Sequence, residues 1–395
     1  MTTSSAPLRV ALVGHAFMGR AHAHAWRTAP RFFDLPRDPE LAVVVGRDAA
    51  RAATAAHELG AAESSADWRE VIARDDIDIV DVCAPGDVHA EVAIAALAAG
   101  KHVLCEKPLA RTVAEAERMA EAARTAPAGT RAMCGFSYRR TPALAYARQL
   151  IADGRLGAIR HVRAQYLQDW LTDPEAPLTW RLDKDVAGSG TLGDIGAHSI
   201  DTAQWLLGDD IAAVSAQLRT FVAERPILSE QRGLGGRAAA DAERGPVTVD
   251  DAVAFTASFA GGALGVFEAT RFALGRRNAN RIEINGDRGS IAFDFERMNE
   301  LEFYDASDDD GAQGFRRIQV TEPVHPYAAR WWPTGHGLGY EHLFTHQAAD
   351  LVAAIASGVD PSPTFEEALR VQRVLDAVER SAGASSILTP VNGAA

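Results

Sequence analysis

Six residues, Leu8-Arg9-Val10-Ala11-Leu12-Val13, form an apolar run that stops at Gly14, and a helix-like stretch over about residues 18–28 follows at once. A strand that feeds a helix through a glycine turn is the first half of a βαβ unit, and its second strand runs parallel to the first. The pattern repeats through LAVVV (41–45), an alanine-rich helix over about 49–59, IDIVDVCAP (77–85) and a helix over about 88–99. It continues with KHVLCE (101–106), a helix over about 112–125 and RAMCGFS (131–137). Short strands alternating with helices predict a doubly wound parallel sheet with helices on both faces.

After a further helix over about 141–153 the pattern changes. IRHVRAQYL (159–167), AVAFTASFA (252–260), ALGVFEATRF (263–272), RIEING (281–286) and SIAFDF (290–295) are strands separated by tight turns, with GlyGly at 261–262 and GlyAspArgGly at 286–289 marking two of them. Helices are expected near 198–207 and 340–357. The second half therefore predicts an α/β domain with a large, open, mostly antiparallel sheet. A chain of 395 residues is too long for one small core. The expected division is a first domain over 1–145, a second over 146–362, and a C-terminal segment, 363–395, whose helix (about 365–382) returns to the first domain. The Gly- and Arg-rich stretch 228–246 is expected to be a surface loop.

The formal net charge of −13 leaves no basic surplus to neutralise phosphates, which argues against a nucleic-acid partner. No apolar run approaches the length that spans a bilayer, and the N-terminus lacks the charged and apolar regions of a signal peptide. Cys83, Cys105 and Cys134 each lie in or beside an apolar run and read as buried free thiols. A cytoplasmic protein without a membrane partner is the expectation.

Val13-Gly14-His15-Ala16-Phe17-Met18-Gly19 is a variant of G-x-G-x-x-G in the strand–turn–helix context the motif requires. Gly14 permits the tight turn, Ala16 is small enough for backbone N–H groups to approach a pyrophosphate, and Gly19 lets helix and strand pack closely. The first domain thus reads as a Rossmann dinucleotide-binding domain. The acid expected at the end of the second strand is replaced, because the sequence there is Val45-Gly46-Arg47-Asp48. Arg47 could stack on adenine or meet a 2′-phosphate, and Asp48 could equally cap the following helix. NAD is the expected cofactor, with NADP left open.

Lys107 follows the apolar run KHVL in Cys105-Glu106-Lys107-Pro108-Leu109. Ligands of doubly wound folds bind beyond the carboxyl ends of the strands, so Lys107 is directed at that crevice, where an ammonium stabilises a developing alkoxide. The glycine-rich segment 188–198 carries Asp194 and His198 four residues apart. On a helix they share a face, and a histidine is suited to take a hydroxyl proton as hydride leaves. Asp194 could instead be a helix N-cap and His198 a core histidine, or the two could be half a metal site. No second cluster of ligands supports a metal, and none is expected.

V-G-H-A-F-M-G, C-E-K-P-L-A and G-S-G-T-L-G-D-I-G-A-H resemble the Gfo/Idh/MocA family of oxidoreductases, over about residues 8–380. The resemblance implies an N-terminal Rossmann domain, and a C-terminal α/β domain whose open sheet builds a homodimer or homotetramer. It assigns catalysis to Lys107, Asp194 and His198. It assigns cofactor contacts to Gly14, Ala16, Phe17, Met18, Gly19, Arg47, Ala84, Pro85, His89, Glu106 and Lys107. Ala84-Pro85-Gly86 departs from the family's commoner Thr-Pro-Asn. FFDLP (32–36), FSYRRTP (136–142), YLQDW (166–170) and PLTWR (177–181) look like the levoglucosan dehydrogenase branch and related enzymes that oxidise the 3-hydroxyl of glucosides. The implied substrate is a sugar, anhydrosugar or glycoside. Its C–H faces would stack on Trp170 or Tyr138 and its hydroxyls would bond Gln168, Arg139 or Arg181, beside Lys107, Asp194 and His198. Core packing or a salt bridge is the competing reading for each of these. His325-Pro326-Tyr327 and Trp331-Trp332 could be a lid, an intersubunit loop or a buried aromatic cluster. An inositol dehydrogenase, and a non-catalytic sugar- or dinucleotide-sensing regulator, remain as alternatives.

Overall fold

The computed structural model describes residues 6–227 and 242–392. The chain divides into two compact units, Met1–Ser137 with Gly339–Leu369, and Tyr138–Leu338 with Arg370–Ala395.

In the first unit, strands β1 (Leu8–Val13), β2 (Pro39–Val45), β3 (Glu63–Ser65), β4 (Ile79–Val82), β5 (His102–Cys105) and β6 (Ala132–Cys134) form one sheet of order β3-β2-β1-β4-β5-β6. Every pair is parallel. Both faces of such a sheet are covered, which is why β1, β2 and β4 are almost uninterruptedly buried rather than alternating. The helices between them are α1 (Phe17–Phe32), α2 (Ala49–Leu59), α3 (Trp68–Ile72), α4 (His89–Ala98) and α5 (Val113–Thr125). Strand β3 and helix α3 are absent from the sequence expectation, being short and polar.

The second unit begins with helix α6 (Pro142–Ala152) and strand β7 (Ile159–Leu167), then α7 (Lys184–Ala187), α8 (Ala197–Leu207) and β8 (Ile211–Arg219). A small hairpin follows, β9 (Glu224–Pro226) against β10 (Arg244–Pro246). Of the expected surface loop 228–246, residues 228–241 lie outside the described residues, and its end is strand β10. Then come β11 (Ala252–Phe259), β12 (Leu264–Thr270), β13 (Ala279–Gly286), β14 (Gly289–Asp294), β15 (Glu300–Asp305) and β16 (Arg316–Gln319). With a last strand, β17 (Thr389–Pro390), they make a nine-stranded sheet of order β16-β15-β14-β13-β7-β12-β11-β8-β17. Only β7 and β12 run parallel. In β11 buried and exposed residues alternate strictly, so one face packs on a core and the other is open. Leu264 and Val266 stand on that open face, half exposed.

The C-terminal stretch differs from the expected division. Helix α9 (Tyr340–Ser357) belongs to the first unit, where Phe344, Ala348 and Val352 pack with Trp26 of α1 and with Leu8 and Val10 of β1. Helix α10 (Phe365–Gly383) leads the other way: from Arg370 onward the chain lies in the second unit, where β17 pairs with β8. The expected return over 363–395 is therefore corrected to 339–369. The physical reason is α9's apolar face, which completes the cover over β1. Among the described residues no helix is long and apolar enough to cross a membrane.

Candidate active site

The first unit supplies a dinucleotide cradle. Gly14 ends β1 at φ +97°, and a Cβ there would meet the Cys83 carbonyl at 2.7 Å, so only glycine fits. Helix α1 opens at Ala16 with no side-chain cap and no acid in its first turn. Its leading N–H groups, at the positive end of the helix dipole, are suited to the pyrophosphate of a dinucleotide. Ala16 is exposed, as is Phe17, whose ring stacks on Tyr340 at 6.2 Å and 8°. Met18 packs against the core beneath, and Gly19 is buried.

At the end of β2, a Cβ on Gly46 would lie 2.5 Å from the His15 imidazole, so His15 fills the space beside that residue. Arg47 is exposed. Asp48 accepts a 2.9 Å bond from the Arg51 N–H and caps α2, which decides between the two readings of that residue.

Lys107 is half-buried at the end of β5 and is fixed from both sides. Its own N–H donates to Glu106 Oε2 at 3.2 Å. On the other side, His89 Nδ1 lies 3.1 Å from the Pro108 carbonyl while its Nε2 lies 2.9 Å from that of Ala84. His89 and Glu106, assigned to the cofactor by resemblance, are also held firmly by the protein itself. Both are buried, with the His89 nitrogens spent on backbone carbonyls and the Glu106 oxygens on Lys107 and His22. They brace the loop ends that carry Ala84, Pro85 and Lys107.

In the second unit the glycine-rich segment is built around a buried carboxylate. Asp250 Oδ1 accepts from the Gly190 N–H and Oδ2 from the Leu192 N–H, each at 2.8 Å. Burial pushes the Asp250 carboxyl above its ordinary range, against the pull of those N–H groups. The backbone approach is so close that a Cβ on Gly190 would stand 2.0 Å from the Asp250 carbonyl oxygen. From this anchor a π-helical turn, Leu192–Gly196, runs directly into α8.

Asp194 lies inside that turn, so the N-cap reading gives way. Its Oδ2 is 3.3 Å from Nη1 of Arg271, a guanidinium with no solvent exposure that also sits 5.5 Å from the Trp170 ring. Arg181 stacks on Trp180 at 4.4 Å. Burial lowers the Arg181 pKa, with Asp194 opposing and Arg271 reinforcing, which sets Asp194 in the field of two guanidiniums.

His198 is buried on α8, its ring 4.5 Å from that of Tyr138 and 6.0 Å from that of Tyr166. From Tyr138 a hydrogen-bonded chain runs outward. The Tyr138 and Tyr166 hydroxyls are 2.6 Å apart, and the Tyr166 hydroxyl donates to Asn278 Oδ1 at 2.7 Å. The same oxygen accepts from Gln168 Nε2 at 2.9 Å, and Gln168 Oε1 accepts from Trp170 Nε1 at 2.9 Å. Tyr138, Gln168, Trp170, Arg181, Asp194 and His198 thus all belong to the second unit, joined by residues the sequence did not single out.

Arg139 is tied to a neighbouring helix residue. It makes a two-point ion pair with Asp201, Nε to Oδ2 at 2.9 Å and Nη2 to Oδ1 at 2.6 Å, with both side chains buried. The pair gives Arg139 a structural role in addition to the substrate contact expected of it. The 325–332 aromatic run is also split, with His325 buried against Tyr146 and Trp332 exposed.

Four contributors were missed: Arg271, Asp250, Asn278 and His22. Only the Asp250-Asp251 pair beside the apolar run of β11 carried a signal, since adjacent acids at a buried strand need partners. The other three look like ordinary surface or core residues until the chain is folded.

The sequence model of the oxidoreductase family with an NAD-binding Rossmann fold matches residues 8–134, and that of the GFO/IDH/MocA C-terminal domain matches residues 144–292. The levoglucosan dehydrogenase of Pseudarthrobacter phenanthrenivorans is 44% identical over 96% of this chain and 97% of its own. A crystal structure of an oxidoreductase domain protein from Kribbella flavida superposes with TM-score 0.93 at 62% identity, covering 98% of this chain and all of the other. A levoglucosan dehydrogenase in complex with NADH and levoglucosan superposes with TM-score 0.91 at 42% identity, over 98% of this chain and 100% of that one. The inositol 2-dehydrogenase of Rhizobium meliloti is more distant, 26% identical over 95% of this chain and 96% of its own. With both halves matched and the dinucleotide cradle in place, the chain belongs to the Gfo/Idh/MocA family of NAD-binding oxidoreductases.

Proposed function

We propose that this protein oxidises a secondary hydroxyl, that on C3, of an anhydrosugar or related glycoside, with NAD as coenzyme. The observation that carries the reading is the chain from His198 through Tyr138, Tyr166, Asn278 and Gln168 to Trp170. It offers ring faces for the C–H surface of a sugar and an amide for its hydroxyls, a combination suited to a pyranose. The levoglucosan complex of the 42%-identical relative supports the same substrate class.

When bound, the nicotinamide accepts the hydride. His198 takes the hydroxyl proton, and Lys107 donates to the oxygen as negative charge develops on it. Asp194, held by Arg271, accepts from the substrate and orients it. The phosphates would rest on the N–H groups of residues 16–19. With Gly46 in place of an acid and Arg47 exposed beside it, the adenosine end allows NADP as well as NAD. The three buried thiols, Cys83, Cys105 and Cys134, fit a reducing cytoplasm. The open face of the nine-stranded sheet, with Leu264 and Val266 half exposed on it, is our choice for the surface that pairs two copies into a dimer or tetramer.

The test is absorbance at 340 nm with NAD or NADP against levoglucosan, glucose, glucosides and inositols, with the oxidised carbon assigned by NMR of the product. The expected result is turnover of levoglucosan or a glucoside at C3, lowered at least ~100-fold in Lys107→Ala. Turnover of inositols with none of any sugar would overturn the reading.

A further inference from the structure

Helix α1 carries His22 and Trp26 one turn apart, and both face the sheet rather than solvent. His22 Nδ1 lies 2.9 Å from Asp81 Oδ1, and its Nε2 lies 3.0 Å from Glu106 Oε1. Trp26 Nε1 donates to Asp81 Oδ2 at 2.7 Å. The exposures are 1% for His22, 0% for Asp81 and 4% for Glu106. Both imidazole nitrogens face carboxylate oxygens. Between two ionised carboxylates a neutral ring would aim a lone pair at one of them, so the arrangement favours both nitrogens protonated. Burial is the largest single influence and opposes that charge, but Asp81 and Cys83 together outweigh it and hold the His22 pKa well above its ordinary value.

Around the ring, Asp81 and Cys83 come from β4 and its end, Glu106 follows β5, and α9 contributes the apolar Phe344 ring, 5.4 Å away. Glu106 is the link outward. One of its oxygens faces His22, while the other accepts the Lys107 N–H. A hydrophobic pair would pack as well or better at this place, so the charged pair beneath the lysine-bearing loop calls for a role beyond stability.

We propose that His22, clamped between Asp81 and Glu106, is a positioning residue that acts on the reaction through Glu106 and Lys107. It fixes the Glu106 carboxylate, which in turn fixes the backbone from which the Lys107 side chain leaves the sheet. This rests on the assignment of Lys107 to the reacting centre made above. Because the link runs through the Lys107 backbone N–H, loss of the ring is expected to move the lysine rather than the coenzyme cradle at residues 14–19.

The experiment is a mutant cycle on the full-length enzyme with His22→Gln, Glu106→Gln, Lys107→Ala and their pairs. It reads kcat, KM and the dissociation constant of NADH by fluorescence. His22→Gln is expected to lower kcat by about 10–100-fold while the NADH constant moves less than about threefold. Glu106→Gln, which keeps Trp26, His22 and Asp81 bonded, is the second variant should His22→Gln fail to fold, and it is expected to move kcat in the same direction. The pair His22→Gln/Glu106→Gln, neutral at both positions, should recover part of the loss. In a Lys107→Ala background, His22→Gln should add little.

Additive losses in that background would make His22 merely structural and overturn the proposal. Wild-type kcat in both folded single variants would overturn it too, as would a stoichiometric divalent metal bound by His22, Asp81 and Cys83. Undiminished turnover in Lys107→Ala alone would instead overturn the reaction assignment on which it rests.

Discussion

Replacing Gly190 with alanine tests whether the anchor beneath Asp194 positions the reacting centre. The new methyl would stand 2.0 Å from the Asp250 carbonyl oxygen and 2.8 Å from its nitrogen, where ordinary contact begins near 3.4 Å. Neither neighbour is the free end of a side chain, so the two backbones must part by about 1.4 Å. The Gly190 N–H is also one of two that hold the Asp250 carboxylate, and the displacement lengthens that 2.8 Å bond. Overpacking costs about 1–3 kcal/mol, and losing a bond to a buried charge about as much again. Asp194 sits four residues on, its N–H bonded to the Gly190 carbonyl at 2.9 Å, so it inherits the shift. A displacement of about 1 Å in a positioning group costs on the order of 100-fold in rate. Gly190→Ala should therefore lose roughly 2–6 kcal/mol of stability in urea titration and about 100-fold in kcat/KM followed at 340 nm. Loss of stability with unchanged kcat/KM would refute the link from turn to reaction. No loss of either would refute the close approach itself.

Arg139→Ala strands the Asp201 carboxylate in a buried site and should cost about 3–5 kcal/mol in denaturant titration, with the sugar KM of the surviving folded enzyme unchanged. A raised KM without loss of stability would return Arg139 to the substrate. The His22 pairing is worth most below pH 6.5, the ordinary pKa, and fades as pH rises through the elevated folded-state value. The gap in melting temperature between wild type and His22→Gln should accordingly narrow as pH rises above 6.5, and a gap constant from pH 6 to 10 would contradict a charged ring. Val266→Asp, on the open face of β12, should reduce the solution mass to that of one chain in light scattering, and a wild-type monomer would contradict pairing through that face.

The parallel sheet was legible because burial on both sides demands long apolar runs, and LRVALV, LAVVV and KHVLC supply them in βα order. Strands β7 and β11–β14 of the second sheet were legible through alternation and tight turns. Strand β8 was not, because IAAVSAQLR mixes small residues with polar ones and its partners β11 and β17 come from distant chain. The destination of the C-terminal segments was hidden for a related reason. α9 and α10 are helices of similar length, and nothing local says which sheet each covers. That choice is made by residues such as Trp26 and Phe344, which find each other only in three dimensions.

The site divides along the same line. Residues that face the ligands sit in motifs, where glycines and prolines constrain the backbone and the spacing can be read. The partners that hold them come singly from remote strands. Asp194 is set 77 residues from Arg271, and Glu106 is set 84 from His22. In each unit a partly exposed candidate residue is held by a buried charged partner: Asp194 by the Arg271 guanidinium, and the Lys107 backbone N–H by the Glu106 carboxylate, which His22 faces in turn. A lone charge at either buried position would cost several kcal/mol, so the partners must be present together or not at all. That coupling is what a motif cannot show. It also means that the front residue and its buried partner should fail as one in mutant cycles, with pairwise losses well short of additive.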